Sequence, residues 1–296
     1  MELSKWIKGT ALLSAGLLLA ACGNGEETAE ETVTEDATTE EATSEEATTD
    51  EAETTIVVGA SNTPHAEILE FVAPTLAEEG ITLEIERFND YVLPNVALDE
   101  GDLDANYFQH VPFFEEAVET NDFDFVNVGN IHLEPIGAYS SRHESLEDLP
   151  EGATILTSSS VPDHGRVISI LQEAGLVTVA DDVDLTTASF DDIAENPLNL
   201  EFDYEYEPAL MATLLEQDEG DVVFVNSNFA VDHDLHPLED SIAVESTSSP
   251  YANLVAARTE DESNEAIQRL VEVLRSEETQ QFIEDTWNGA VIPVTE

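Results

Sequence analysis

The chain has 296 residues, with 66 acidic side chains against eight lysines and arginines, a formal charge of −58 at pH 7. A surface this acidic excludes nucleic acid and anionic lipid headgroups as natural partners, because both require a positive face. The single cysteine excludes an internal disulfide and a cysteine-based metal cluster.

In chain order, residues 1–21 place Lys5 and Lys8 ahead of an apolar run from Ala11 to Ala21. That run is too short for a membrane span and has the form of a secretory signal. It ends in Leu19-Ala20-Ala21-Cys22-Gly23, which resembles the lipobox of bacterial lipoproteins. The resemblance implies that Cys22 becomes the N-terminus and is acylated, with palmitate-type chains as the only attachment to the membrane. Several chains are needed, since burial contributes about 0.8 kcal/mol per CH₂ and one chain holds marginally.

Residues 22–55 follow as a linker. From residue 23 on they hold 13 acidic residues and 10 threonines, with no basic or aromatic residue. Such a segment buries too little apolar surface to offset its ordering entropy, so it is expected to be disordered, with spacing and solvation as its role. With Glu2, Lys5 and Lys8 removed in the leader, six arginines face 65 acidic residues, a charge of −59. Self-repulsion on that scale calls for salt screening, so a saline external medium is expected.

Residues 56–296 carry the fold. Strands are predicted at 56–60, 81–88, 123–128, 136–140, 153–157, 221–225 and 254–257. Helices are predicted at 65–79, 91–99, 112–120, 165–174 (beginning near Asp163), 262–275 and 277–287. Strands alternating with helices point to α/β architecture with mostly parallel sheets, in two lobes, with ligand-binding loops at the carboxyl ends of strands.

No phosphate-cradling glycine loop, nucleophile elbow or zinc-protease motif is present. His233 and His236 share an i, i+3 spacing, but two histidines fall short of the three or four converging ligands a metal needs. Paired carboxylates carry no signal against so acidic a background. No catalytic site, cofactor or metal is expected.

Four stretches are more specific: Phe88-Asn-Asp-Tyr91-Val-Leu-Pro-Asn95, Gly101-Asp-Leu-Asp-Ala-Asn-Tyr-Phe108-Gln-His110-Val-Pro-Phe113, His164-Gly165-Arg166 and Ser249-Pro-Tyr251-Ala-Asn253-Leu. With the ending Asn288-Gly-Ala-Val-Ile-Pro-Val, they resemble the NlpA-type methionine-binding lipoproteins, the substrate-binding components of methionine ABC importers. The resemblance implies a two-lobe, periplasmic-binding-protein-like α/β fold with a ligand cleft between the lobes. Lobe 1 would take residues 56–137 and 251–296, lobe 2 residues 138–250, with crossings near 135–140 and 251–258.

The resemblance also implies the site. Tyr91 and Phe108 would wall the methionine side chain, with His110 and Phe113 beside them. Arg166 would hold the ligand carboxylate, and Asn226 and Asn253 would be the cleft asparagines. Arginine suits that role through a bidentate, charge-assisted pair, and a thioether suits an aromatic slot. Two positions depart from the family pattern, which often has tyrosine at Phe113 and asparagine at Asp163. Asp163 is placed to cap the helix, attract the ligand ammonium or compete for Arg166.

The resulting expectation is a monomeric, extracytoplasmic lipoprotein that delivers L-methionine or a related amino acid to an ABC permease and its ATPase, with no chemistry of its own. The alternatives are the same fold with another ligand (D-methionine, a methionine dipeptide or another amino acid) and a surface adhesin or scaffold.

Overall fold

The computed structural model describes residues 54–246 and 250–294. The leader, Cys22 and nearly all of the acidic linker lie outside the described residues. Strand β1 (Thr54–Ser61) turns its buried Ile56, Val58 and Ala60 toward α1 (Glu67–Glu78). That helix answers with Ile68, Leu69, Val72 and Leu76 at helical spacing. Then come β2 (Ile81–Phe88), α2 (Leu93–Glu100), β3 (Ala105–His110), α3 (Val111–Asn121) and β4 (Phe125–Leu133).

The second sheet begins with β5 (Gly137–Tyr139) and β6 (Thr154–Ser158), followed by α4 (Val161–Glu173) and the short ladder β7 (Thr178–Val179) and β8 (Ile193–Glu195). It continues with β9 (Glu201–Tyr206), α5 (Met211–Glu216), β10 (Val222–Val225), α6 (Ser227–Asp232) and β11 (Ala243–Val244). The chain then returns through β12 (Ala252–Arg258), α7 (Glu265–Leu274), α8 (Glu277–Trp287) and β13 (Ile292–Pro293). Side chains close the starts of the last two helices. Asn264 accepts from the Ala266 and Ile267 amides, and Ser276 from that of Thr279.

The strands form a six-stranded sheet, β13-β4-β12-β3-β1-β2, and a five-stranded sheet, β11-β5-β10-β6-β9. Each has its own core. Ile56, Ile68, Leu76, Tyr107, Ile267 and Leu270 serve the first, and Ile136, Ile155, Ile168, Leu171 and Phe224 the second. Each such side chain contributes about 1.5–3 kcal/mol by leaving water. No helix among the described residues is long and apolar enough to cross a membrane.

Both sheets are mixed, which corrects the expectation of mostly parallel pairing. β1 runs parallel to β2 and β3, and β6 parallel to β9 and β10. β12 runs antiparallel to β3 and β4, and β5 antiparallel to β10 and β11. β5 and β12 each follow a passage between the sheets, where no crossover helix turns the chain back to the same direction, and β13 also runs antiparallel to β4. The first passage spans residues 134–136, between β4 and β5, so half of the expected crossing at 135–140 belongs to β5. The return enters the first sheet at Ala252, so 252–258 is a strand of that sheet.

Six strands were not expected: β7, β8, β11 and β13, each of two or three residues, and the longer β3 and β9. In β3 every residue is buried, yet Asn106, Gln109 and His110 make it read as a polar loop. In β9, Glu-Phe-Asp-Tyr-Glu-Tyr lies at the sheet edge, where its charges mask the alternation. Helix α4 starts earlier than expected, so Arg166 is in its second turn and Asp163 in its first.

Candidate functional site

Register places the site's first residues. Across the first sheet His110 of β3 pairs with Asn253 of β12, which pairs in turn with His132 of β4. The three stand in a row at the margin beside the passage at 134–136. Phe108 sits at an irregularity in the β3–β12 pairing, between Tyr107 opposite Val255 and Gln109 opposite Leu254. His110 also caps α3: its Nδ1 accepts the Phe113 amide at 3.1 Å, which turns Phe113 toward the same space.

The Asn-Asp-Tyr turn works by a similar division of labour. Asp90 accepts the amides of Val92 and Leu93, both at 2.8 Å, and so fixes the turn that leads into α2. Tyr91 is left free to point inward. The rings of Tyr91, Phe108 and Phe113 meet with centroids 5.8–6.1 Å apart. From α6, Phe229 approaches Tyr91 at 5.3 Å, and Asn228 Oδ1 accepts the Tyr91 hydroxyl at 2.7 Å.

The opposite wall comes from α4 and the start of α6. Gly165 makes the approach possible, since a Cβ there would stand 1.6 Å from the Leu185 carbonyl oxygen. Arg166 is buried and heavily engaged. Its Nε donates to both Glu245 oxygens at 3.1–3.2 Å, and Nη2 to Glu245 and the Glu134 carbonyl. Nη1 donates to Asp163 Oδ1 at 3.1 Å. Tyr251 packs on the guanidinium, 4.9 Å from ring centroid to Cζ. Of five N–H groups, one on Nη1 has no partner among the described residues, so the bidentate fork expected of Arg166 is already taken by Glu245.

Asp163 bridges the two sheets. Its Oδ1 accepts from His110 Nε2 at 3.1 Å, and its Oδ2 accepts the Asn226 amide at 2.9 Å. Burial alone would raise its carboxyl, but the His110 hydrogen bond and the Arg166 charge outweigh this and hold it well below the usual carboxylate range. Burial likewise opposes the charge on Arg166, and Glu245 and Asp163 overcome it, raising its affinity for its proton. Because Asp163 can only accept, it fixes the Asn226 amide with its nitrogen inward. Asn226 Oδ1 is thereby left buried and without a hydrogen-bond partner.

All eight sequence-expected ligand residues line one cavity: Tyr91, Phe108, His110, Phe113, Asp163, Arg166, Asn226 and Asn253. The space between its walls, counted out to open solvent, is about 370 Å³. Gln109, Glu134, Ser227 and Asn228 line it too and were missed. Glu134 had a legible signal, because His132-Leu-Glu134 on a strand puts an imidazole and a carboxylate on one face. Glu245 had none, lying 79 residues from the arginine it pairs with.

Under the cavity, Glu134 Oε1 lies 3.2 Å from His65 Nε2 and 2.7 Å from His132 Nε2. The Tyr107 hydroxyl bonds His132 Nδ1, and Asn253 Oδ1 lies 3.1 Å from His65 Nε2. Burial pushes His65 down to about 4 and His132 to about 3, and pushes the Glu134 carboxyl up. His233 and His236 make separate contacts, with Glu216 and with the Trp287 carbonyl.

The family model for the NlpA lipoproteins matches residues 56–295. The methionine-binding lipoprotein MetQ of Bacillus subtilis (strain 168) is 41% identical over 298 residues, covering 99% of this chain and 100% of its own. A crystal structure of a pheromone cOB1 precursor/lipoprotein of the YaeC family from Enterococcus faecalis V583 superposes with a TM-score of 0.79 at 57% identity. It covers 81% of this chain and 100% of its own. A nutrient binding protein from Burkholderia cenocepacia, solved bound to methionine, gives 0.76 at 36% identity, covering 80% and 99%.

Proposed function

The chain belongs to the NlpA lipoprotein family, and from that premise we propose that it captures methionine between its two sheets and delivers it to an ABC permease. The observation that carries this reading is the cavity's polarity. An aromatic end made by Tyr91, Phe108 and Phe113 faces a charged end made by Arg166, Asp163 and Glu134. A thioether packs on the rings, where each sulfur–aromatic contact contributes about 0.3–1.5 kcal/mol. The zwitterionic end meets two asparagines set in opposite senses. Asn226 has its nitrogen on Asp163 and offers an oxygen to the ligand ammonium. Asn253 has its oxygen toward His65 and offers its nitrogen to the carboxylate, beside the remaining N–H of Arg166.

In this reading lobe 1 is residues 56–137 with 251–296, and lobe 2 is 138–250. The Tyr91–Asn228 and His110–Asp163 bonds join them in the closed form. The protein acts as a monomer held outside the cytoplasm by acylated Cys22, in a saline medium. It makes and breaks no bond, and the permease's ATPase supplies the energy.

Calorimetric titration with L-methionine tests the proposal, in high salt and after unfolding and refolding to strip carried ligand. Binding at micromolar or tighter, about −8 kcal/mol, and its loss in Arg166→Ala are expected. A folded protein that gives no heat overturns it. One observation favours a second ligand, a methionine-containing dipeptide. A neighbouring cleft shares Tyr91 and Phe113 with the cavity and has room for another residue. Tighter binding of the dipeptide than of L-methionine would select that reading.

A further inference from the structure

Methionine capture leaves two buried imidazoles unused, His65 and His132, which meet the cavity's Glu134 from beneath. We propose that His65, His132 and Glu134, with Asn253 as a fourth donor, form a binding site for one divalent transition-metal ion of the zinc class.

The donor atoms already converge. The three ligand atoms lie within 4.8 Å of one another, and Asn253 Oδ1 is 3.1 Å from His65 Nε2. Four donors at zinc bond lengths of roughly 2.0–2.1 Å stand about 3.3 Å apart. The present separations of 2.7 and 3.2 Å from Glu134 therefore need only small outward movements. Two neutral imidazoles with a carboxylate and an amide oxygen suit zinc, cobalt or nickel and not the all-oxygen shells of calcium and magnesium.

The surroundings fit as well. The Tyr107 hydroxyl holds His132 by its far nitrogen, the hydrogen bond that orients a metal-binding imidazole. Metal uptake needs no net proton release. In His132 the proton moves from Nε2 to Nδ1 and Tyr107 turns from donor to acceptor; in His65 it moves to an Nδ1 that has no hydrogen-bond partner among the described residues. Charge favours a cation here, since the Glu134 carboxylate is the group that both imidazoles face. Glu134 and Asn253 line the ligand cavity, so the open cleft is the ion's way in.

The test uses the purified full chain, unfolded and refolded with chelator and then desalted. Zn²⁺ is titrated by calorimetry, and Co²⁺ by visible absorption. The expected result is one equivalent per chain, with the spectrum of four-coordinate cobalt and a rise in Tm. Glu134→Gln and His132→Gln should each lose more than the about 10–100-fold typical of outer hydrogen-bond partners, and Tyr107→Phe an amount within that range. His233→Ala with His236→Ala should leave uptake unchanged. Circular dichroism establishes that each variant folds. Refolded wild type that takes up no metal overturns the proposal whatever the variants do. Uptake that survives Glu134→Gln, or is lost in the surface-histidine variant, overturns it too. None of these outcomes depends on whether methionine binds.

Discussion

Arg166 and Arg269 make the same kind of contact in different surroundings. Arg269 pairs with Glu79 and Glu272, and its side chain and theirs are 38%, 40% and 67% exposed. Arg166 pairs with Asp163 and Glu245 at 3%, 1% and 7%. Water and salt screen the first set, so its geometry says little about stability. The second set is unscreened, yet desolvation offsets much of its attraction. The buried set is therefore costly to break without being a large net source of stability.

The largest effect that sharpens this contrast is Arg166→Ala. It leaves Asp163 and Glu245 buried without their cation, which costs about 3–5 kcal/mol. In a domain of this size each kcal/mol is about 2–4 °C of Tm. A thermal scan showing no loss would mean that water already reaches the network.

The pH profile of the metal-free protein comes next. His65 and His132 hold protons less readily folded than unfolded, so the unfolded chain binds more protons between about 6.5 and about 4. Stability should therefore fall as pH drops through that window, by about 1.4 kcal/mol per pH unit for each excess proton. Glu134, with its carboxyl pushed up, works in the opposite sense and offsets part of the slope. Asp163 is held low, so its contribution persists through this range and fails only in stronger acid. A flat profile between pH 7 and 4, measured by urea unfolding, would contradict the burial of the two imidazoles.

Asp163→Asn should have a smaller effect, seen in binding. It removes the acceptor that links His110, Arg166 and Asn226, and charged hydrogen bonds contribute about 1.5–3 kcal/mol. Methionine affinity should weaken tenfold or more by calorimetry. Tighter binding would instead mean that Asp163 competes with the ligand carboxylate for Arg166. The smallest effect is expected at Arg269→Ala, with no measurable change in Tm in molar salt. In parallel, Tm of the wild type should rise from low to molar NaCl as the excess negative charge is screened.

Legibility followed the same divide between local and distant. Helices α1 and α8 were readable because their apolar spacing is a local property. β3 was not, because Asn106 and Gln109 are satisfied by Asn95, more than ten residues away. Tyr91, Phe108 and Arg166 were legible through short motifs whose order and spacing survive in sequence. Glu245 was not, since its significance lies in which buried groups it meets.

The sequence by itself determined the acidic character, the alternation of strands and helices, the family motifs and the residue types of the cavity. Each of these is written in composition or in spacings of a few residues. Only the tertiary structure decided which N–H of Arg166 remains free, which way Asn226 and Asn253 face, and that two histidines share one carboxylate. Those outcomes depend on hydrogen bonds between residues far apart in the chain. Burial makes the bonds obligatory, because a polar group removed from water must find a partner or bear the cost of its loss.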